Sequence, residues 1–362
     1  MPPVINEIKK ELAGKRVWLR VDWNVPCLPA GRPLVDGKAI EPLRLERSLT
    51  TIKFLQKAGA KITLGTHLSN PKASLQPMID YVGKKVDLTA VNILPNLRSF
   101  KGEAKNDPKL AAEWAAGHDL YVNDAFSASH REHASIVGLP KLLPGYLGLS
   151  FAGELEALAE VGQPIKPFLA IIAGAKFESK LPVIEKFLPQ ADKIFVGGAL
   201  SNLFLKREGY EIGQSYVDPK APSITTLLRN GKIEIPRDVV ITREGEKLAV
   251  IPDEVKQQDK IVDAGPATLE RLAQLVKDAN FILWVGPLGL YEEGYNEGTN
   301  ELAKLIANSN KHSILGGGDT VTAISRLKLF DQFTFVSAGG GAMLEYLATG
   351  TLPGLEALKT KN

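Results

Sequence analysis

The chain has 362 residues, 44% of them hydrophobic and 23% charged, which is enough to build two ordinary cores. A net charge of only +3 argues against a nucleic-acid or other general polyanion partner. The single cysteine, Cys27, excludes an internal disulfide framework and a cysteine-rich zinc site. No apolar run approaches membrane-spanning length, and the start Met1-Pro-Pro-Val-Ile-Asn lacks the basic and apolar parts of a signal peptide, so a soluble cytoplasmic protein without a membrane partner is expected.

Strand-like apolar runs alternate with helical patterns along the chain, the signature of doubly wound, mainly parallel α/β sheets. Strands are predicted at Val17–Val21, Lys61–Thr66 and Asp119–Val122, and again at Phe168–Ala173, Lys193–Val196, Phe281–Val285, His312–Leu315 and Phe333–Val336. Their near-continuous apolar character suits strands buried on both faces. One helix is expected from Arg44 to Ala58, with Leu45, Leu49, Ile52 and Leu55 on one face. Another runs from Asp107-Pro108 to Gly117, an N-cap, a first-turn proline and a terminal glycine in order. The Glu/Ala/Leu-rich stretch 149–161 reads as a helix joining two domains, 1–148 and 162–345. The tail 346–362 is expected to pack back on the first domain, and 237–262 to form a small antiparallel excursion.

Two glycine triplets end apolar runs and precede helical patterns: Gly316-Gly317-Gly318-Asp319-Thr320 and Gly339-Gly340-Gly341-Ala342. Gly174-Ala175-Lys176 and Gly197-Gly198-Ala199 repeat the arrangement. Glycine lets a backbone approach a ligand closely, and helix N-termini attract anions, so four such junctions point to a phosphate chain. Lys176 and Lys180, four apart, would share a helical face above it, and Asp319 would sit beside it where Mg²⁺ binds. Neither G-x-G-x-x-G nor a P-loop is present.

The first half places Asp22, Asn24, His67, Arg98, Asn123 and Arg131 just beyond or near strand ends, where ligands of open α/β sheets bind. Arg44, His67, Arg98, Arg131 and His133 either converge on a small anion or are scattered surface cations. His130 and His133 have a spacing that permits metal ligation, though no third ligand is marked. Cys27 reads as an incidental thiol in a proline-rich turn, and Trp284 as core.

These segments together resemble phosphoglycerate kinase over nearly the whole chain, at Arg20–Pro26, Asn96–Arg98, Tyr121–Ser135, Gly174–Lys180, Asp263–Pro266, Trp284–Leu290, Gly316–Thr320 and Val336–Ala342. The resemblance implies two domains facing across a cleft, one for 3-phosphoglycerate or its acyl phosphate and one for Mg-ATP or Mg-ADP, in a monomer. By position, Asp22, Asn24, Arg44, His67, Arg98 and Arg131 would bind the triose. Gly174, Lys176, Lys180, Gly197, Gly198, Glu292, Gly318, Asp319 and Thr320 would bind nucleotide. Arg44, Lys176, Gly317 and Gly340 would serve catalysis, and Asp319 would hold Mg²⁺. Several positions depart from the family pattern: Asn70 for arginine, Pro95 for glutamate, Ser179 for aspartate, Val285 for asparagine and Ala338 for threonine, with Ala173 and Ala199 for glycine and a compressed 72–94 segment. Two other readings stay open at this point, a nucleotide-binding scaffold with lost activity and a kinase for another acyl phosphate.

Overall fold

The computed structural model describes residues 1–25, 34–35, 38–39, 42–219, 221 and 223–359; Pro26, Cys27 and the last three residues of the tail lie outside them. Contacts divide the chain into two compact units, 1–156 with 341–362, and 157–340.

The first unit is built on β1 (Arg16–Arg20), a small hairpin of β2 (Leu34–Val35) and β3 (Lys38–Ala39), β4 (Lys61–Gly65), β5 (Asn92–Ile93), β6 (Leu120–Asn123) and β7 (Gly145–Leu147). The main sheet is parallel, in the order β5-β4-β1-β6-β7, so β1 is central and its carboxyl end faces other strand ends on both sides. Helix α1 (Leu43–Lys57) buries Leu45, Leu49, Ile52 and Leu55, as its periodicity predicts. Helices α2 (Gln76–Gly83) and α3 (Pro108–Ala115) follow. The Asp107 side chain caps α3 by accepting from the Lys109 amide, and Gly117 takes positive φ just beyond it. Helix α4 (Leu149–Glu160) occupies the predicted joining stretch.

The second unit carries β8 (Phe168–Ile172), β9 (Lys193–Val196) and β10 (Ile233–Glu234), then β11 (Val239–Arg243), β12 (Glu246–Val250) and β13 (Lys260–Ala264), then β14 (Phe281–Val285), β15 (His312–Gly316) and β16 (Phe335–Val336). Its main sheet is parallel in the order β10-β9-β8-β14-β15-β16, and β8 and β14 are buried at every residue, which is why they read as unbroken apolar runs. The predicted excursion is the antiparallel sheet β12-β11-β13, with a small core of its own around Val239 and Ile241. The helices are α5 (Phe177–Phe187), α6 (Ala199–Arg207), α7 (Thr225–Leu228), α8 (Pro266–Asp278), α9 (Glu297–Ala307) and α10 (Gly318–Leu327). Helices α11 (Gly341–Thr349) and α12 (Pro353–Lys359) group with the first unit. There Tyr346 meets Phe126 edge-on and the Gly354 amide donates to the Ser129 carbonyl at 2.9 Å, bracing the 125–138 loop that carries Arg131 and His133.

Where β6 ends, Asp124 is buried under the first turn of α4, its Oδ1 accepting from the Phe151 amide at 3.1 Å. Burial pushes this carboxyl up to about 7, against the opposing pull of Thr51, the Phe151 and Ser150 amides and Arg47. The folded state thus keeps a proton that the unfolded chain, with an aspartate near pH 3.9, has lost. Stability falls as pH rises through that interval and stays lowered above about 7. Asp124→Asn mimics the protonated form, so chemical denaturation should show it gaining stability relative to the native chain between about pH 5 and about pH 8. A difference independent of pH would contradict the assignment.

Candidate active site

In the first unit the site grows from the carboxyl end of β1. Arg20 is fully buried, and its guanidinium makes three directed bonds: Nε to Ser135 Oγ at 3.0 Å, one terminal nitrogen to the Val21 carbonyl, and the other to His67 Nδ1 at 2.9 Å. Just beyond it, Asp22 meets Arg44 at 3.2 Å and accepts from the Asn24 amide and from the Ser127 hydroxyl. Burial works against ionisation of Asp22, but Arg44, His67, the Ser127 hydroxyl and the Asn24 amide together outweigh it and hold the carboxyl below its usual range. Arg44 also donates to the Asn24 carbonyl at 2.6 Å. Asn24 Oδ1 accepts from the amide and hydroxyl of Ser69 at 2.8 and 3.0 Å, and Arg98 reaches the Ser69 carbonyl at 3.4 Å.

The cations crowd one another. Arg98 is held below the usual arginine value by burial, then by Arg131 and Arg20. His67 is held well below its ordinary value by burial and then by Arg20, and His133 is lowered to about 4 by burial, Arg20 and Arg131. Both imidazoles are therefore neutral near neutral pH, and the positive charge of the site resides on guanidinium groups. Such a cluster suits an anion with several oxygens, because arginine forks match carboxylate and phosphate geometry.

In the second unit, the ends of five strands, β8, β9, β14, β15 and β16, lead into glycine turns. Gly174, Gly198, Gly286, Gly317 and Gly340 all have positive φ. The Leu200 amide donates to the Gly174 carbonyl at 2.8 Å, and a Cβ on Gly198 would lie 2.5 Å from the Gly174 nitrogen. A Cβ on Gly286 would lie 2.0 Å from the Ala173 carbonyl oxygen, so β8 and β14 converge more closely than any side chain allows. Thr320 is fully buried and its Oγ1 accepts from the Gly286 amide at 3.1 Å, tying the end of β14 to the first turn of α10.

Lys180 is buried in α5, its ammonium lowered to about 8 by burial and then by Lys176, against the pull of Asp319. Asp319 is raised by burial and by Glu292, against Lys180 and Lys176. The four-residue spacing predicts that Lys176 and Lys180 share a helical face; instead Lys176 is the extended N-cap of α5 and is exposed, while Lys180 lies inside the helix. Among the described residues no cluster of three or more metal-ligating side chains occurs, His130 and His133 included.

A family model for phosphoglycerate kinase matches residues 5–350. The chain belongs to the phosphoglycerate kinase family. It is 35% identical to the phosphoglycerate kinase of Haemophilus influenzae over 99% of both chains, and 36% identical to that of Dictyoglomus turgidum over 97% of both. The phosphoglycerate kinase structure from Coxiella burnetii covers all of both chains at 30% identity and a TM-score of 0.81. The Pyrococcus horikoshii structure covers 99% of this chain and 98% of its own at 27% identity and a TM-score of 0.82.

Within the first unit, Asp22, Asn24 and Arg44 form one bonded group joined through Ser69 to Arg98; His67 and Arg131 join it through Arg20 and through the mutual repulsion of the cations. Within the second, Lys176, Lys180, Glu292 and Asp319 interact electrostatically beside Gly174, Gly197, Gly198, Gly317, Gly318 and Thr320. Asn70, where the phosphoglycerate kinase family pattern has arginine, is exposed, and its carbonyl accepts from Asn96 Nδ2 at 2.9 Å. Two buried polar residues carry no sequence signal: Glu103, in an irregular turn, and Asn202, whose Oδ1 has no hydrogen-bond partner among the described residues and lies beside a small cavity lined by Gly197, Gly198, Leu288 and Leu290; Arg20 heads the Arg20–Pro26 stretch but, on a buried strand, reads only as a strand end.

Gly198→Ala should lower the melting temperature and weaken ADP binding together, because a Cβ at φ 62° meets backbone and not a movable side chain; the strain is on the order of 1–3 kcal/mol. Unchanged melting and unchanged ADP affinity would show that the turn relaxes freely.

Proposed function

We propose that this protein catalyses reversible phosphoryl transfer between 1,3-bisphosphoglycerate and ADP, giving 3-phosphoglycerate and ATP. The observation that carries this reading is the guanidinium cluster of Arg20 and Arg98 around neutral His67, with Arg44 on the neighbouring Asp22, in a chain whose other sheet ends in glycine turns flanked by Lys180 and Asp319. In this reading Asp22, Asn24, His67, Arg98 and Arg131 orient the triose, with the arginines meeting its carboxylate and phosphate oxygens. Arg44 and Lys176 counter the charge on the phosphoryl oxygens as they move between acyl oxygen and nucleotide, since such transfer needs alignment and charge neutralisation and no covalent nucleophile. The glycine amides around Gly174, Gly317 and Gly340 cradle the phosphates.

Asp319 fits Mg²⁺ delivered on the nucleotide. Its carboxyl is raised by burial and by Glu292, a strain that a nearby divalent cation relieves, and Mg²⁺ takes one or two carboxylates while phosphates and water complete its shell. When bound, the ion neutralises phosphate charge. Transfer requires the two ligands to come in line with water excluded, so the proposal includes ligand-driven closure with the 149–161 helix as hinge, in a cytoplasmic monomer.

An assay coupling 3-phosphoglycerate and Mg-ATP to a reporter of 1,3-bisphosphoglycerate should show turnover. Nucleotide binding with no turnover on this acid would overturn the proposal in favour of a binding protein, and turnover on a different carboxylic acid would reassign the substrate. Lys176→Ala should lower kcat roughly 10²–10³-fold, as loss of one charge stabiliser does elsewhere, with ADP affinity little changed. Asn70→Arg restores a cation beside Asn96 and should lower KM for 3-phosphoglycerate; an unchanged KM would mean that the site already satisfies that phosphate.

A further inference from the structure

His67 is 4% exposed and sits among Arg20, Arg98, His133 and Asp22. Its Nδ1 lies 2.9 Å from a terminal nitrogen of Arg20. A guanidinium has five N–H donors and no acceptor, so at this distance Nδ1 must accept. The ring proton is then on Nε2, for which no hydrogen bond occurs among the described residues, so that N–H is open to water or to a ligand. The alternative tautomer would aim an Nδ1 proton at an Arg20 proton.

Arg20 is itself held from behind. Its Nε donates to Ser135 Oγ at 3.0 Å. The single Ser135 hydroxyl proton goes to Glu103 Oε1 at 2.5 Å, and the Ser135 amide donates to Glu103 Oε2 at 2.9 Å. Tyr121 donates to the Ser135 carbonyl at 2.7 Å, which fixes the backbone there. Glu103 and Arg20 are both fully buried, and a buried cation needs a buried anion; here one hydroxyl links them and sets the tilt of the guanidinium.

We propose that Arg20 locks His67 as the neutral Nε2–H tautomer, with Ser135 and Glu103 as the positioning residues that aim Arg20, so that the site gives its phospho-acid substrate one uncharged N–H donor among several cations. The inference rests on the triose reading of this site for its ligand. A neutral donor recognises an oxygen by direction without adding to the repulsion that already lowers Arg98, and burial together with Arg20 keeps the ring from charging.

Nitrogen-15 NMR of ring-labelled protein tests this directly. The chain has 5 histidines, and His67→Gln identifies the relevant signals by their loss. The native protein should show His67 with a protonated Nε2 and a bare Nδ1 from about pH 6 to about pH 8. Ser135→Ala should admit a measurable Nδ1–H fraction and raise KM for 3-phosphoglycerate roughly tenfold, the worth of one hydrogen bond, while kcat and KM for ATP stay within about twofold. Ser135→Thr keeps the hydroxyl and should restore both. A native His67 that is Nδ1–H or doubly protonated, or a Ser135→Ala protein with an unaltered tautomer, overturns the proposal; the native spectrum decides even if the variants do not fold. Failure of all turnover on 3-phosphoglycerate with the Nε2–H form present would sink the substrate reading alone.

Discussion

A guanidinium enclosed at the carboxyl end of a central strand is the constraint on which the first unit's chemistry rests. Arg20 cannot lose its charge and cannot reach water, so the surroundings must satisfy it, and they do so through Ser135, the Val21 carbonyl and His67. Each of those partners is thereby fixed. Val21 and Asp22 continue β1, Ser135 belongs to the loop braced by the C-terminal helices, and His67 follows β4. One side chain thus ties together the three segments that carry the groups proposed to bind the anion. Burial and the same field keep both His67 and His133 neutral, so the positive charge there resides on arginine.

The second unit is built differently, with backbone brought close to backbone at the strand ends, the geometry that the proposed function assigns to phosphate binding. This closeness comes from removing side chains where strands β8 and β14 converge and where β9 hands over to α6. The contacts at Gly198 and Gly286 leave no room for a Cβ. Charge is then set at the margin: Lys180 is buried and weakened, Lys176 is exposed at an N-cap, and Asp319 is raised by its own neighbours. The two lysines thus sit in unlike settings, Lys180 buried inside the helix and Lys176 exposed at its start, and under the proposed function only Lys176 is placed to meet the moving phosphoryl group.

Much of this was legible in the amino-acid order. Strands β8, β9 and β14 are buried on both faces, and their apolar runs mark them almost to the residue; α1 and α3 carry clear periodicity and caps. Strands β5, β7 and β10 are two or three residues long and have no period to detect. β16 is an edge strand, shorter than its apolar run predicts. At the site, glycine triplets and clustered arginines are visible because their residue types are unusual in those places. The Lys176–Lys180 spacing did not show where the helix begins: Lys176 caps α5 and Lys180 lies inside it, near enough for Lys176 to lower the Lys180 ammonium. Glu103 and Asn202 were silent, and Ser135 stood in a recognised stretch without a role, because a lone polar residue in a turn or helix looks the same whether it faces solvent or a buried partner.

The central claim is that the first unit holds the three-carbon acid and the second holds the nucleotide, each on its own residues. Calorimetric titration of two variants tests this most directly. Arg98→Met should abolish detectable binding of 3-phosphoglycerate and leave Mg-ADP affinity intact, and Asp319→Asn should do the reverse. Loss of both ligands in either variant, or of neither, would contradict it.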